Sequence, residues 1–162
     1  MKLCLRFDLE YLPWQPRVGH GEPALVLRLL QRARGSGLKY QFLARGEVVR
    51  CFRHVAEEIL NEGHALGWLG GEDSARAQAC FELVGIRIGT PSPDFPSTRM
   101  DSGPEDAVAL VQSDEPAVVV ASCPEFLAEW DPDLDAFEAC VRSAMERGRV
   151  IRFLHELAND LK

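Results

Sequence analysis

Leu38-Lys39-Tyr40-Gln41-Phe42-Leu43-Ala44 and His64-Ala65-Leu66-Gly67-Trp68-Leu69 are two short apolar runs separated by one helical pattern, and this stretch decides the fold class. Val48, Phe52, Val55 and Ile59 recur at the one-face spacing of an amphipathic helix. Asn61-Glu62-Gly63 ends that pattern, with Gly63 at the place where a left-handed residue stops a helix. Strand, helix and strand with short joins read as a βαβ unit, so the two strands are expected to be parallel neighbours.

The same rhythm extends to both sides. Lys2 to Phe7 alternates and ends in Asp8-Leu9-Glu10, a strand that delivers acidic groups to its C-terminal end. Tyr11 to Gly21, with two prolines and two glycines, reads as a loop. Pro23 opens a helix that runs to Arg34. After Leu69, Asp73 can cap a helix that reaches Val84 and stops at Gly85. Ile86-Arg87-Ile88 reads as a short strand, and Gly89 to Pro104 as irregular chain, a loop or a lid. Ala107 to Val111 fits either a strand or a helical turn. Ala117 to Ala121, almost all valine and alanine, has the pattern of a strand buried on both faces. Pro124 to Pro132 is a loop, Asp133 to Arg147 a helix, Val150 to Leu154 a last strand and His155 to Leu161 a terminal helix. The expected architecture is a single α/β domain over residues 1–162, with about six mainly parallel strands in an irregular, shortened (β/α) barrel. Those strands are Leu3–Phe7, Lys39–Leu43, Ala65–Trp68, Ile86–Ile88, Val118–Ala121 and Val150–Phe153. The barrel should be open on one side, and a homodimer that covers the exposed edge is a secondary expectation.

A length of 162 residues suits one ordinary core, and is short of the roughly 250 residues of a complete eight-fold barrel. The net charge of −7 argues against nucleic acid or an anionic membrane surface as main partner. No apolar run approaches the roughly 18 residues of a membrane span, and no signal peptide is visible, so a cytoplasmic location is expected. The five cysteines contain no Cys-x-x-Cys pair, and an odd, scattered set reads as buried free thiols rather than a disulfide framework.

Several segments resemble the polysaccharide deacetylase (NodB-homology) family, metal-dependent carbohydrate deacetylases with an irregular (β/α) barrel. Leu5-Arg6-Phe7-Asp8-Leu9-Glu10 resembles the family's first strand, which ends in Asp-Asp-Gly or, in a branch that includes deformylases of lipid-linked aminoarabinose, in Asp-x-Asp. Glu62-Gly63-His64-Ala65-Leu66-Gly67 resembles its Glu-Gly-His-Glu-Ile-Gly segment and is the strongest match. Gly85 to Pro91 is similar to the segment with the family's Arg-x-Pro, and Ala136 to Ala158 to its last helix and strand. The resemblance places the catalytic base on Asp8. It places the metal-binding aspartate on Leu9, or on Glu10 in the Asp-x-Asp version, and the two metal-binding histidines on Leu69 and Asp73. The arginine that steadies the base falls on Gly89, and the acid histidine near Ala121 or Ser122. A hydrolytic metal needs ligands with lone pairs and an open position for water. Leucine has none to give, so the standard metal site is expected to be missing.

Asp8, Glu10 and Asp73 would form an all-carboxylate set suited to a hard cation such as Mg²⁺ or Ca²⁺. Against that, Asp73 reads equally as a helix cap and Glu10 as solvated. Asp8, at a strand end, either lines a pocket or holds the following loop. His64 begins its strand, at the end of the fold where residues serve stability; His20, in the first loop, is the one histidine able to reach Asp8. Ser122 and Cys123 follow a buried strand, but no base is identifiable beside them. Trp14, Trp68 and Trp130 all fall at or after strand C-termini, with Tyr11, Phe95 and Phe126 in the same loops. Such rings suit packing on a small carbohydrate in a cleft, and they suit equally the roofing of a shortened barrel. The sequence thus leads to a carbohydrate-binding or scaffold pseudoenzyme with no cofactor. The alternative is a carbohydrate deacetylase or related amide hydrolase with a divalent cation at a rebuilt site around Asp8.

Overall fold

The computed structural model describes residues 1–10, 22–89, 95–100, 104–124, 127 and 131–158. Two compact units are formed, one by Met1–Phe7 with Ser92–Lys162 and one by Asp8–Pro91. The fold is α/β, with six strands and every described pairing parallel. Among the described residues no pairing joins the third strand to the fourth, in keeping with a barrel that does not close. No described helix is long and apolar enough to cross a membrane.

The first unit is built on β1 (Lys2–Leu9, whose last two residues belong to the second unit) and β5 (Ala117–Ser122). They pair in parallel from Lys2↔Ala117 to Phe7↔Ser122. All six residues of β5 are buried, as its valine-alanine composition requires of a strand covered on both faces. β4 (Ser97–Arg99) pairs with β5, and β6 (Val150–Ile151) with Lys2 and Leu3 of β1. The helices of this unit are α5 (Pro104–Gln112), α6 (Asp135–Glu146) and α7 (Leu154–Ala158). α6 turns Phe137, Cys140, Val141 and Ala144 inward, and the Phe137 ring meets Phe7 at a centroid distance of 5.5 Å. Its start is fixed by the buried Asp131, whose carboxylate accepts from Ala136 N (3.2 Å) and Phe137 N (2.9 Å).

The second unit contains α1 (Glu22–Ser36), β2 (Gln41–Ala44), α2 (Gly46–Cys51), α3 (Arg53–Asn61), β3 (Ala65–Trp68) and α4 (Ser74–Glu82). β2 and β3 are parallel, in register from Gln41↔Ala65 to Ala44↔Trp68, and Gly63 ends α3 with φ +78°. The βαβ reading of Leu38–Leu69 therefore holds, with one correction: its helix is two helices. The chain breaks at Phe52 (φ −120°, ψ 47°), because the two halves pack on different neighbours. α2 lies against α4, whereas α3 lies against α1 and β3. The approach of α2 to α4 depends on Gly46, where a Cβ would stand 2.9 Å from the Cα of Ala77.

Other expectations change or are decided. Ile86–Ile88 is not a strand. The Gln78 side-chain amide accepts from Ile88 N (2.9 Å) and donates to Ile86 O (3.3 Å), meeting the backbone groups that a neighbouring strand would otherwise meet. The strand forms instead at Ser97–Arg99, inside the segment read as irregular, where β5 offers an edge. Ala107–Val111, left open between strand and helix, lies within α5. The cysteines carry no disulfide among the described residues, but only Cys4, Cys123 and Cys140 are buried; Cys80 is half-buried and Cys51 exposed.

Candidate functional site

The strand ends of the second unit gather the polar groups. Near the end of β1, Asp8 is only 1% exposed, while Glu10, just past it, faces solvent. Between them Leu9 is buried in an apolar seam lined by Ala44, Val48, Phe52, Ile59 and Leu66. It belongs to the packing that seats α2 and α3 on the strands, which accounts for an apolar side chain at that position.

After β3 the chain turns through Gly70 and Gly71, both with positive φ. This brings Glu72 back over β3. One Glu72 oxygen accepts from the Trp68 indole N–H (3.0 Å) and from Gly46 N (2.5 Å), so a single carboxylate ties the end of β3 to the first turn of α2. Trp68 is half-buried, with its polar edge committed to that contact. Asp73 accepts from Arg76 N at 2.9 Å and is the N-cap of α4. Leu69 is half-buried and offers no donor atom.

Next to these groups is a cleft of about 690 Å³ whose lining includes Arg45, Glu47, Arg50, Glu72, Asp73 and Arg76. Of the described residues expected to form a site, Asp73 alone lines it. Trp14, Trp130, Tyr11, Phe126 and His20 lie outside the described residues. The arginines of the cleft were not anticipated, although the signal was available: Arg45 follows an apolar strand directly, as Asp8 does. Arg50 pairs with Glu47, and that hydrogen bond holds the Glu47 carboxyl below its usual value. Arg45 carries a buried Nε with no hydrogen-bond partner. Among the described residues no carboxylate forms an ion pair with Arg45 or Arg76.

His64 is structural, as its place at the start of β3 implied. Its Nδ1 accepts from Tyr40 N (3.0 Å), and its ring stacks on Tyr40 at 5.3 Å. Burial, reinforced by the Lys39 charge, pushes its pKa down to about 4, so the ring stays neutral. His54 and His155 are exposed on helices. In the first unit Ser122 is buried with a hydroxyl that finds no partner, and Cys123 is buried beside it in sequence. Burial drives the thiols of Cys4 and Cys140 up to about 12 and about 11, far from thiolate chemistry.

No three His, Cys, Asp or Glu side chains converge as a metal-binding group among the described residues. Leu9 is in the core, Leu69 has no lone pair and one Asp73 oxygen caps α4, so the donors a hydrolytic metal requires are not brought together among the described residues.

An α/β unit with its polar groups at the strand C-termini is the general class defined so far. Neither the family models nor the curated proteins compared with the sequence give a match. Solved structures do. A CE4 family pseudoenzyme from Bacillus anthracis superposes with a TM-score of 0.63 at 13% identity, covering 97% of this chain and 65% of that one. A peptidoglycan deacetylase from Bacillus subtilis gives 0.62 at 13%, covering 96% and 89%. A family 4 acetyl xylan esterase from Clostridium thermocellum, solved with a cobalt ion, gives 0.62 at 13%, covering 97% and 90%. The chain thus has the fold of the CE4, NodB-like polysaccharide deacetylases, and spans about two thirds of the length of the pseudoenzyme.

Proposed function

We propose that this chain is a polysaccharide-deacetylase-like protein that has lost the hydrolytic metal site and acts as a carbohydrate-binding or scaffold pseudoenzyme. The observation that carries the reading is the end of β3. The two positions where the resemblance places metal-binding histidines hold Leu69, which has no donor, and Asp73, whose carboxylate accepts from the Arg76 N–H. Leu9, at the aspartate position, is 3% exposed and packed among apolar side chains. Loss of activity is compatible with this fold: one structural neighbour is described as a pseudoenzyme, and a mutant of it as having restored enzymatic activity.

Trp68, half-buried at the end of β3, is the described group placed to contact a sugar, through the face of its indole. The test is elemental analysis of protein purified without chelator, together with acetate release from N-acetylglucosamine oligomers. Zinc well below stoichiometric level and no acetate are the expected results. About one tightly held transition metal per chain, with acetate released, overturns the reading. A second reading, an amide hydrolase built around Asp8 with Glu10, Asp73 and a divalent cation, draws on the near-complete burial of Asp8 at a strand end. Under it, Asp8→Asn, Glu10→Gln and Asp73→Asn would each lower the metal content.

A further inference from the structure

We infer that the cleft between α2 and α4 is a binding site for an oxyanion group, a phosphate or a carboxylate carried by a small ligand, held by Arg45 and Arg76. The inference does not depend on whether a metal site survives, because none of these groups is a metal ligand.

The groups that line the cleft differ in how far they are already committed. Three arginines and three acids line the cleft, so its formal charge is close to zero. Each acid, however, already accepts a hydrogen bond, and one of them is paired with a cation. Glu47 is held by Arg50, Glu72 by Gly46 N and the Trp68 indole, and Asp73 by Arg76 N. The cations are not occupied to the same degree. Arg76 lines the cleft with no carboxylate partner among the described residues, and Arg45 holds a buried Nε–H without an acceptor. An incoming oxyanion would meet, in the exposed Arg76 and the half-buried Arg45, two cations that no carboxylate already pairs among the described residues.

Position and shape agree with this. Arg45 directly follows β2, and Glu72 and Asp73 follow β3 by a short turn, so the cleft opens at strand C-termini, where α/β folds place their ligands. Its volume of about 690 Å³ admits a phosphorylated or carboxylated monosaccharide. Guanidinium groups present planar, paired N–H donors that match the oxygens of phosphate and carboxylate. The Glu72 bridge fixes α2 against β3, which gives the arginines a rigid floor.

The test is calorimetric titration of the whole chain with inorganic phosphate, glucosamine 6-phosphate, glucuronate and neutral N-acetylglucosamine. At least one anionic arm should bind, and weaken as salt is raised. Phosphate and glucosamine 6-phosphate binding above glucuronate identifies a phosphate ligand; the reverse order identifies a carboxylate. Arg45→Met and Arg76→Met should each weaken binding about tenfold or more, while Arg53→Met, which removes the exposed pair with Glu57 on α3, should leave it unchanged. Circular dichroism checks that each variant is folded. Arg76 is solvent-exposed, so that variant keeps the test intact even if Arg45→Met unfolds. The proposal is overturned if no anion binds up to about 10 mM, if the neutral sugar binds as well as the charged ones, or if Arg53→Met weakens binding as much as Arg76→Met.

Discussion

The Arg149 guanidinium donates through Nε to the carbonyl oxygen of Val111 at 2.7 Å, from a residue that is only 3% exposed. The same group reaches the carbonyls of Leu110, Ser113, Glu115 and Lys2. Leu110 and Val111 belong to the last turn of α5, whose carbonyls have no partner inside the helix. One cation therefore caps α5, braces the turn into β5 and holds the start of β1.

Replacing Arg149 by Met keeps the stem and strands these carbonyls. The loss should be about 2–4 kcal/mol, read as a lower urea midpoint with little change in slope. Arg149→Lys keeps the charge but not the planar fork, and should recover only part of that loss.

His64 sets a pH dependence. Its folded pKa of about 4 lies below the unfolded value near 6.5, so the unfolded state takes up the proton first. The stabilisation is whole above pH 6.5 and is lost progressively as pH falls towards 4, amounting to about 2–3 kcal/mol. His64→Asn places an amide oxygen where Nδ1 accepts from Tyr40 N and removes the titration. Urea unfolding of the two proteins between pH 7 and 4 should show the wild type losing more stability than the variant. Parallel curves would rule the mechanism out.

Two glycines should respond in opposite directions to alanine. Gly46→Ala drives a methyl against the Ala77 backbone and should cost about 1–3 kcal/mol. Gly35→Ala, in α1 with nothing within 4 Å, should add about 0.5–1 kcal/mol. Thermal melts of both against the parent provide the comparison.

The Glu72 bridge has an optical reporter. Glu72→Ala frees the Trp68 indole and leaves Gly46 N without its acceptor, which should cost about 1–3 kcal/mol and shift the Trp68 emission. Measured in a Trp14→Phe, Trp130→Phe background, an unchanged spectrum would show that the indole does not depend on Glu72.

How much of this was legible follows from what each signal encodes. The β2–β3 pairing was readable because alternation, a helical face and Gly63 all pointed the same way. Asp73 was readable as a cap because capping is local. The break at Phe52 was not: the 48, 52, 55, 59 spacing is continuous, and only the separate partners of α2 and α3 divide it. Ser97–Arg99 carries no strand pattern of its own and takes its conformation from the edge of β5. The arginine cleft was hidden for the same reason. Spacing along a chain does not tell that the Glu72 carboxylate will meet the backbone N–H of Gly46, 26 residues away, and so bring the start of α2 to the start of α4.

The pairing of Lys2 with both Ala117 and Val150 bears on how the chain acquires its structure. Asp8–Pro91 is continuous, and every strand it pairs internally is available once that stretch has left the ribosome. β1 is made first but cannot satisfy its β5 ladder until more than a hundred further residues have been synthesised. Such long-range parallel closure is slow, because loop entropy must be overcome before any contact rewards it. During translation the apolar Leu3-Cys4-Leu5 segment waits as an unpaired edge. It is there that aggregation and chaperone capture would concentrate during synthesis.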